Sequence, residues 1–139
     1  MSNVSKFREL LNQKNVFMEE LQNEDGSAFF RVEQRLKNGG SIVLVASFTL
    51  EEDIVDIFAF DIAEISDPLK KDSVYKLLNE LNQDYRFSKF YIDSKGRISC
   101  KTALMFEDNF NPNVILRQII MTLNTAEEAY PKFMKLVWA

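Results

Sequence analysis

Four strand-like stretches follow one another with no helical segment between them, and this order limits the possible folds most strongly. They are "VFMEELQ", "SAFFRVEQRL", "SIVLVASFTL" and "IVDIFAFDI". The first two flank Asp25-Gly26, where glycine accepts a positive φ without steric cost, and Lys37–Gly40 predicts the next turn. Strands joined by such short turns pair antiparallel, because parallel strands need a long crossover between them.

Two helical segments enclose these strands. Apolar residues at helical spacing predict a short N-terminal helix that Ser2 or Asn3 caps and that ends around residues 13–15; they are Val4, Phe7, Leu10 and Leu11. After the strands, Asp67 and Pro68 are suited to begin a second helix. Its apolar stripe is Val74, Leu77, Leu78 and Leu81.

Two further strands and a long helical region complete the chain. The strands flank "DSKG" at residues 93–96, and the helical region begins with Asn111 as cap and Pro112 as first residue. Thr125 and Glu128 have capping-box spacing, which predicts a second helical segment near residue 126, with Glu127-Glu128 placed by the helix dipole. Pro131 then predicts a kink.

The predicted fold is therefore a single α+β domain over residues 1–139. Its order is α-β-β-β-β-α-β-β-α, with an antiparallel sheet of five to six strands packed against an N-terminal, a central and a C-terminal helix. A chain of 139 residues is long enough to bury a core without disulfides or metals.

The third and fourth strands carry apolar residues on both faces. Val43 and Val45 oppose Ile42, Leu44 and Ala46 in one strand. In the next strand Phe58, Phe60 and Ile62 oppose Val55, Ile57 and Ala59. Either helices cover both faces or one face is a subunit interface. We predict a partner or dimer interface that includes Val43, Val45, Val55 and Ile57, together with Phe87 and Tyr91.

The residue inventory excludes several kinds of catalysis. The chain has no histidine, so Ser-His, Cys-His and His-metal sites are absent, and "NGGS" lacks the lysine of a phosphate-binding loop. An acidic cluster remains at Glu51, Glu52, Asp53 and Asp56, which we interpret as a solvated loop rather than a metal or acid-base site. We expect no cofactor, metal or catalytic residue.

Cys100 is the one cysteine, and its pattern predicts a structural role. It shares a strand face with Ile98, Thr102, Leu104 and Phe106, whereas Lys101 points to the opposite face. A free cysteine usually packs as a small apolar residue, and a reactive thiol needs exposure and a nearby cation.

Charge and length exclude some partners and locations. The net charge is −4, from 17 basic and 21 acidic residues, so the chain has no general attraction for nucleic acid. The aromatic and basic run "YRFSKFY" is too short and isolated to predict nucleic-acid stacking. No apolar run approaches the ~20 residues that span a membrane. One cysteine forms no internal disulfide, which favours the cytoplasm.

The stretch "LLNELNQDYRFSKFYIDSKGRISCKTALMF", followed by "NPNVILRQIIMTL", resembles the bacterial YbjN-like family. That resemblance implies the fold of class I type III secretion chaperones. It also implies a non-enzymatic protein, often a homodimer, that works in regulation or in chaperone-like binding of a protein partner. The added strand "VFMEELQ" departs from the family pattern.

We therefore expect a cytoplasmic binding or regulatory module that acts through protein–protein contacts. Two alternatives stay open. The first is a small acidic immunity or antitoxin protein that binds a basic partner, because an acidic surface speeds association with a basic one. The second is a carboxylate- or metal-dependent enzyme built on Glu51–Asp56.

Overall fold

The helices and strands follow the chain in the order that the sequence predicts. The computed structural model describes residues 1–139. Its elements are α1 (Asn3–Gln13), β1 (Glu19–Gln22), β2 (Ala28–Arg35), β3 (Ser41–Phe48), β4 (Ile54–Glu64), a 3-10 turn (Pro68–Lys70), α2 (Lys71–Asp84), β5 (Lys89–Ile92), β6 (Arg97–Met105) and α3 (Pro112–Val137). The α+β class and the predicted order are confirmed.

All six strands form one antiparallel sheet in the order β1-β2-β3-β4-β6-β5. The additional N-terminal strand β1 joins this sheet at its edge, beside β2. The predicted turn glycine is in place, since Gly26 has a φ of 90° between β1 and β2. The sheet's two middle strands, β3 and β4, are the two in which both faces carry apolar residues.

The three helices pack on one face of the sheet. The core cluster joins residues of α1, α2 and α3 to alternate positions of β3 and β4. The strand residues of this core are Ile42, Leu44, Ala46, Phe48, Val55, Ile57 and Ala59. We call the opposite face, on which no helix lies, the open face.

Three aromatic rings attach α1 to this core. Phe7 of α1 meets Phe30 of β2 edge-on, with ring centroids 4.9 Å apart, and lies 5.9 Å from Phe48 of β3. All three side chains are at most 1% exposed. Aromatic pairs in this geometry stabilise a core beyond the area they bury, so Phe7 is the main anchor of α1.

Our prediction for Ile62 is wrong because β4 contains a bulge. Asp61 has a positive φ of 62°, and the register of β4 against β6 shifts between Ala59 and Ala63. The extra residues turn Ile62 into the core, where it is buried, instead of placing it beside Phe58 and Phe60. The two-residue period by which we grouped Ile62 with Phe58 and Phe60 ends at this bulge.

The C-terminal region is one continuous helix, so the predicted second segment near residue 126 is wrong. Thr125 lies inside α3 instead of capping a new helix, and Pro131 is accommodated within the same helix. Glu127 accepts a hydrogen bond from the Lys37 N–H at 3.0 Å, and Glu128 accepts one from the Tyr85 hydroxyl at 2.9 Å. These tertiary contacts replace the helix-dipole role that we expected. The continuous buried face of α3 outweighs the local capping signal.

Candidate functional site

The open face has an apolar centre formed by β3 and β4. Across the two strands Val45 lies opposite Phe58, and Val43 opposite Phe60. The two phenylalanine rings stack with centroids 4.5 Å apart and an angle of 13° between their planes. Val45 is only 8% exposed although it is outside the core cluster, because its neighbours on this face cover it. We call these four residues the apolar centre.

Charged side chains of both signs surround the apolar centre. Arg31 lies 3.6 Å from Glu19 and 3.7 Å from Glu33, and Lys101 lies 3.7 Å from Asp56. The Lys101 ammonium is also 5.2 Å from the centre of the Phe58 ring. Such exposed pairs add little to stability. They give the rim of the open face charges of both signs, with two cations and three carboxylates.

The six residues that we predicted as an interface do not form one surface. Val43 and Val45 lie on the open face, as described above. Val55 and Ile57 lie on the other face and are 0% exposed beneath the helices. Their inclusion is therefore corrected: neighbouring strands place Val43 and Val45 beside Phe58 and Phe60, and no partner reaches Val55 or Ile57 in the folded chain.

Phe87 and Tyr91 lie at the far end of the sheet. Both are exposed, and both line a cleft of about 430 Å³ beside β5, together with Lys89, Lys101 and Ala103. Tyr91 lies opposite Ser99 across the β5–β6 ladder, which puts it on the open face. Tyr91 thus lies on the same side of the sheet as the apolar centre but not in its middle. Phe87 precedes β5 and also lines a second cleft with Met121 and Thr125 of α3.

Phe58 and Phe60 are the residues that the predicted interface missed. Their alternation was visible, but membership of one face depends on the register between β3 and β4. A single strand's pattern does not contain that register, since a shift of one residue moves each side chain to the other face.

The acidic loop before β4 holds the N-terminal helix. One Glu52 carboxylate oxygen accepts a hydrogen bond from the Val4 N–H at 2.6 Å, and the Glu52 carbonyl accepts one from the Asn3 amide at 2.8 Å. Asp53 accepts a bond from the Thr49 hydroxyl at 3.1 Å. No group of three or more Asp, Glu or Cys residues is placed to hold a metal ion. The contacts of Glu52 and Asp53 are those of a structural loop.

Cys100 is fully buried in β6, between Ala59 of β4 and Phe90 of β5. Burial raises the pKa of its thiol to about 12, and the hydrogen bond with Ser88 acts in the opposite direction. A thiolate is the nucleophilic form of cysteine, so this residue is poorly suited to nucleophilic chemistry near neutral pH.

We expect Cys100 to react with a thiol reagent far more slowly in the folded protein than in denaturant. The measurement is the rate of labelling at pH 8 with and without urea.

The pKa of the Cys100 thiol is higher in the folded protein than in the unfolded chain, so the thiol's contribution to stability is complete below pH 9 and is lost as the pH rises towards 12. Cys100→Ala should leave secondary structure and function intact. Equal labelling rates in both conditions would contradict the buried position.

None of the three helices is long and apolar enough to cross a lipid bilayer.

Comparison with known proteins identifies a family. A search of curated proteins found no match. The sequence model of one family, described as "Putative bacterial sensory transduction regulator", matches residues 4–135. This match begins in α1 and ends within the last turns of α3, so it includes every strand of the sheet. The chain therefore belongs to the YbjN family.

Proposed function

We propose that this protein is a non-enzymatic regulator that acts by binding protein, and that one of its partners is a second copy of itself. The observation that supports this proposal is the apolar centre of the open face, on which no helix lies and where Val43, Phe58 and Phe60 are partly exposed. The description of the YbjN family supports a regulatory role in general. We also propose that the protein forms a homodimer, binds its partner in a chaperone-like manner and works in the cytoplasm.

Exposed apolar area on the two middle strands favours a covering partner. Contact with water costs roughly 25 cal/mol for each Å² of apolar surface, so an apolar patch in the middle of a sheet is stabilised by burial. Phe58 and Phe60 are partly exposed on this face, and aromatic residues are enriched at protein interfaces. Contiguous patches of this kind mark protein–protein interaction sites.

The charges around the apolar centre favour a second copy over a strongly charged partner. A twofold dimer uses the same surface on both chains, so that surface has to be complementary to itself. A rim of one sign would repel its own copy. Here the rim carries Arg31 and Lys101 as well as Glu19, Glu33 and Asp56, so a cation of one copy can meet a carboxylate of the other.

Val43→Arg tests the dimer. The wild-type protein is expected to scatter light at micromolar concentration as twice the 16.2 kDa of one chain, and the variant as a single chain. Val43 lies opposite Glu33 on the same face, so the new guanidinium has a carboxylate within reach and the monomer should stay folded. Circular dichroism checks that it does.

Leu69→Arg is the matched control, because Leu69 is 92% exposed in the turn before α2. It introduces the same charge away from the sheet and should leave the dimer intact. A wild-type protein that is monomeric at every concentration, or a Val43→Arg protein that remains a dimer, would remove the open face as the dimer surface.

A further inference from the structure

Strand β6 extends beyond its edge neighbour. β5 has four residues and β6 has nine, and their pairing ends at Lys89 opposite Lys101. Residues 102–105 of β6 pair with β4 on one side and have no strand on the other. We call residues 102–105 the β6 overhang.

The hydrogen-bond pattern shows which backbone groups of the β6 overhang are free. The Phe106 N–H donates to the Asp53 carbonyl at 2.7 Å, so even-numbered residues of this strand bond towards β4. The Asp93 N–H donates to the Arg97 carbonyl at 2.9 Å, so odd-numbered residues bond towards β5. The N–H and C=O groups of Ala103 and Met105 therefore point past the end of β5, and neither residue makes a bond there.

The opposite edge of the sheet has an overhang of the same length but of different character. β2 extends past β1 by residues 32–35. The Asn23 N–H donates to the Ser27 carbonyl at 2.8 Å, so odd-numbered residues bond towards β1 and the outward-bonding positions of this overhang are Glu33 and Arg35. Charged side chains on an edge strand protect it from pairing with other chains. The β6 overhang has Ala103 and Met105 at the equivalent positions, and Met105 is 75% exposed. The β2 edge is therefore protected from pairing with another strand by charged side chains, whereas the β6 edge is not.

The surroundings of the β6 overhang indicate which kind of segment it fits. The cleft described above lies next to it and is lined by Phe87 and Tyr91, which offer apolar surface. Lys89 and Lys101 lie directly opposite each other in the ladder, and like charges in that position repel. Both are exposed at the end where the overhang begins. The Lys89 ammonium donates to the Asn82 and Tyr85 carbonyls, and Lys101 lies 3.7 Å from Asp56, so one carboxylate serves two cations. A carboxylate near them would reduce this repulsion.

We propose that the β6 overhang captures an extended, acidic segment of another protein as an added strand in line with β5. Four free backbone groups, on Ala103 and Met105, supply the hydrogen bonds of the new ladder. The apolar surface of Phe87, Tyr91 and Met105 receives alternate side chains, and Lys89 and Lys101 receive a carboxylate. Addition of a strand to an exposed sheet edge is a general mode of peptide recognition. This site shares Lys101 with the rim of the open face, but its backbone groups lie at the sheet edge and outside the apolar centre. Strand addition there does not require the homodimer.

The test uses a synthetic peptide as probe: Asp-Val-Thr-Val-Thr-Val-Asp with blocked ends. Its control is the same peptide with N-methyl groups on alternate residues, which cannot complete a ladder. We expect hydrogen exchange of the Ala103 and Met105 amides, followed by nuclear magnetic resonance, to slow about tenfold at a peptide concentration ten times Kd. The Glu33 and Arg35 amides should not change.

Met105→Pro removes one outward N–H and leaves the bonds of β6 to β4 in place, because proline is tolerated on sheet edges. We expect it to weaken peptide binding roughly fivefold or more, whereas Met105→Ala keeps that N–H and binds the peptide. Ala103→Glu puts a charge on the edge and should abolish binding without removing any backbone group.

Three results would overturn the proposal. The first is an unchanged exchange rate at Ala103 and Met105 with saturating peptide. The second is equal binding of the N-methylated control. The third is a wild-type dimer that Met105→Pro dissociates while no peptide binds, which would make the occupant of the overhang a second copy. Val43→Arg should still bind the peptide, so failure of the homodimer and failure of this site are distinguishable.

Discussion

Ile57→Arg is expected to unfold the protein. Ile57 is 0% exposed, lies between Ala46 and Thr102 in the sheet, and faces the helices. A guanidinium there has no partner and cannot reach water, and burial of an unpaired charge is among the largest single-residue losses, about 4 kcal/mol or more. Such a loss is comparable with the whole stability of a small protein, roughly 5–15 kcal/mol. Circular dichroism at room temperature measures it.

Two control variants show whether the loss comes from the buried charge. Ile57→Val should lower the free energy of unfolding by only about 0.5–1.5 kcal/mol, since it removes one buried methyl group. Val43→Arg, one strand away on the open face, should stay folded. An Ile57→Arg protein that is folded but monomeric would show that Ile57 lies on an interface, as the sequence pattern first indicated, and not in the core.

Phe7→Ala is expected to lower the free energy of unfolding by about 3–5 kcal/mol, the usual cost of truncating a buried phenylalanine. The loss removes the edge-on contact with Phe30 and the contact with Phe48, and it leaves a cavity under α1. Urea denaturation followed by circular dichroism gives the value.

Phe17→Ala is the matched control because Phe17 is 78% exposed. The same truncation at that position should change stability by less than about 0.5 kcal/mol. If both variants lose equal stability, or if Phe7→Ala loses almost none, α1 does not anchor the core in the way that its aromatic contacts indicate.

Local signals predicted most of the element boundaries. Ser2 accepts a bond from the Ser5 N–H at the start of α1, and Asn111 accepts one from the Asn113 N–H at the start of α3. In the predicted "DSKG" turn, Asp93 accepts bonds from the N–H groups of Lys95 and Arg97. Each of these contacts spans at most four residues. The residues next to each boundary are therefore enough to predict where these helices and this turn begin.

Long-range contacts explain the errors. Glu127 reaches Lys37 across 90 residues and Glu128 reaches Tyr85 across 43, so no local pattern contains these partners. The capping-box spacing at Thr125 is present in the sequence, but no helix begins there. α3 continues through this position because it buries one continuous face that includes Ala126, Ala129 and Phe133. Tertiary burial outweighed it.

The make-up of the candidate site depends on two features that a single strand's pattern does not show. The division of β4 between its faces requires the bulge at Asp61, where a residue other than glycine adopts a positive φ. The partnership of Val43 and Val45 with Phe58 and Phe60 requires the register of β3 against β4. The presence of apolar residues on both faces was visible in the sequence, whereas the composition of each face was not.

Distance measurement between two copies tests the central claim most directly. Ser41 is exposed at the start of β3 on the open face, and Ser73 is exposed on α2 on the other side of the sheet. Because Cys100 is buried, a spin label attached to Ser41→Cys or Ser73→Cys would be the only accessible one in each chain. Electron resonance of the dimer should give a shorter distance between Ser41 labels than between Ser73 labels. A shorter distance for Ser73, or no coupling between labels at either position, would contradict dimerisation through the open face.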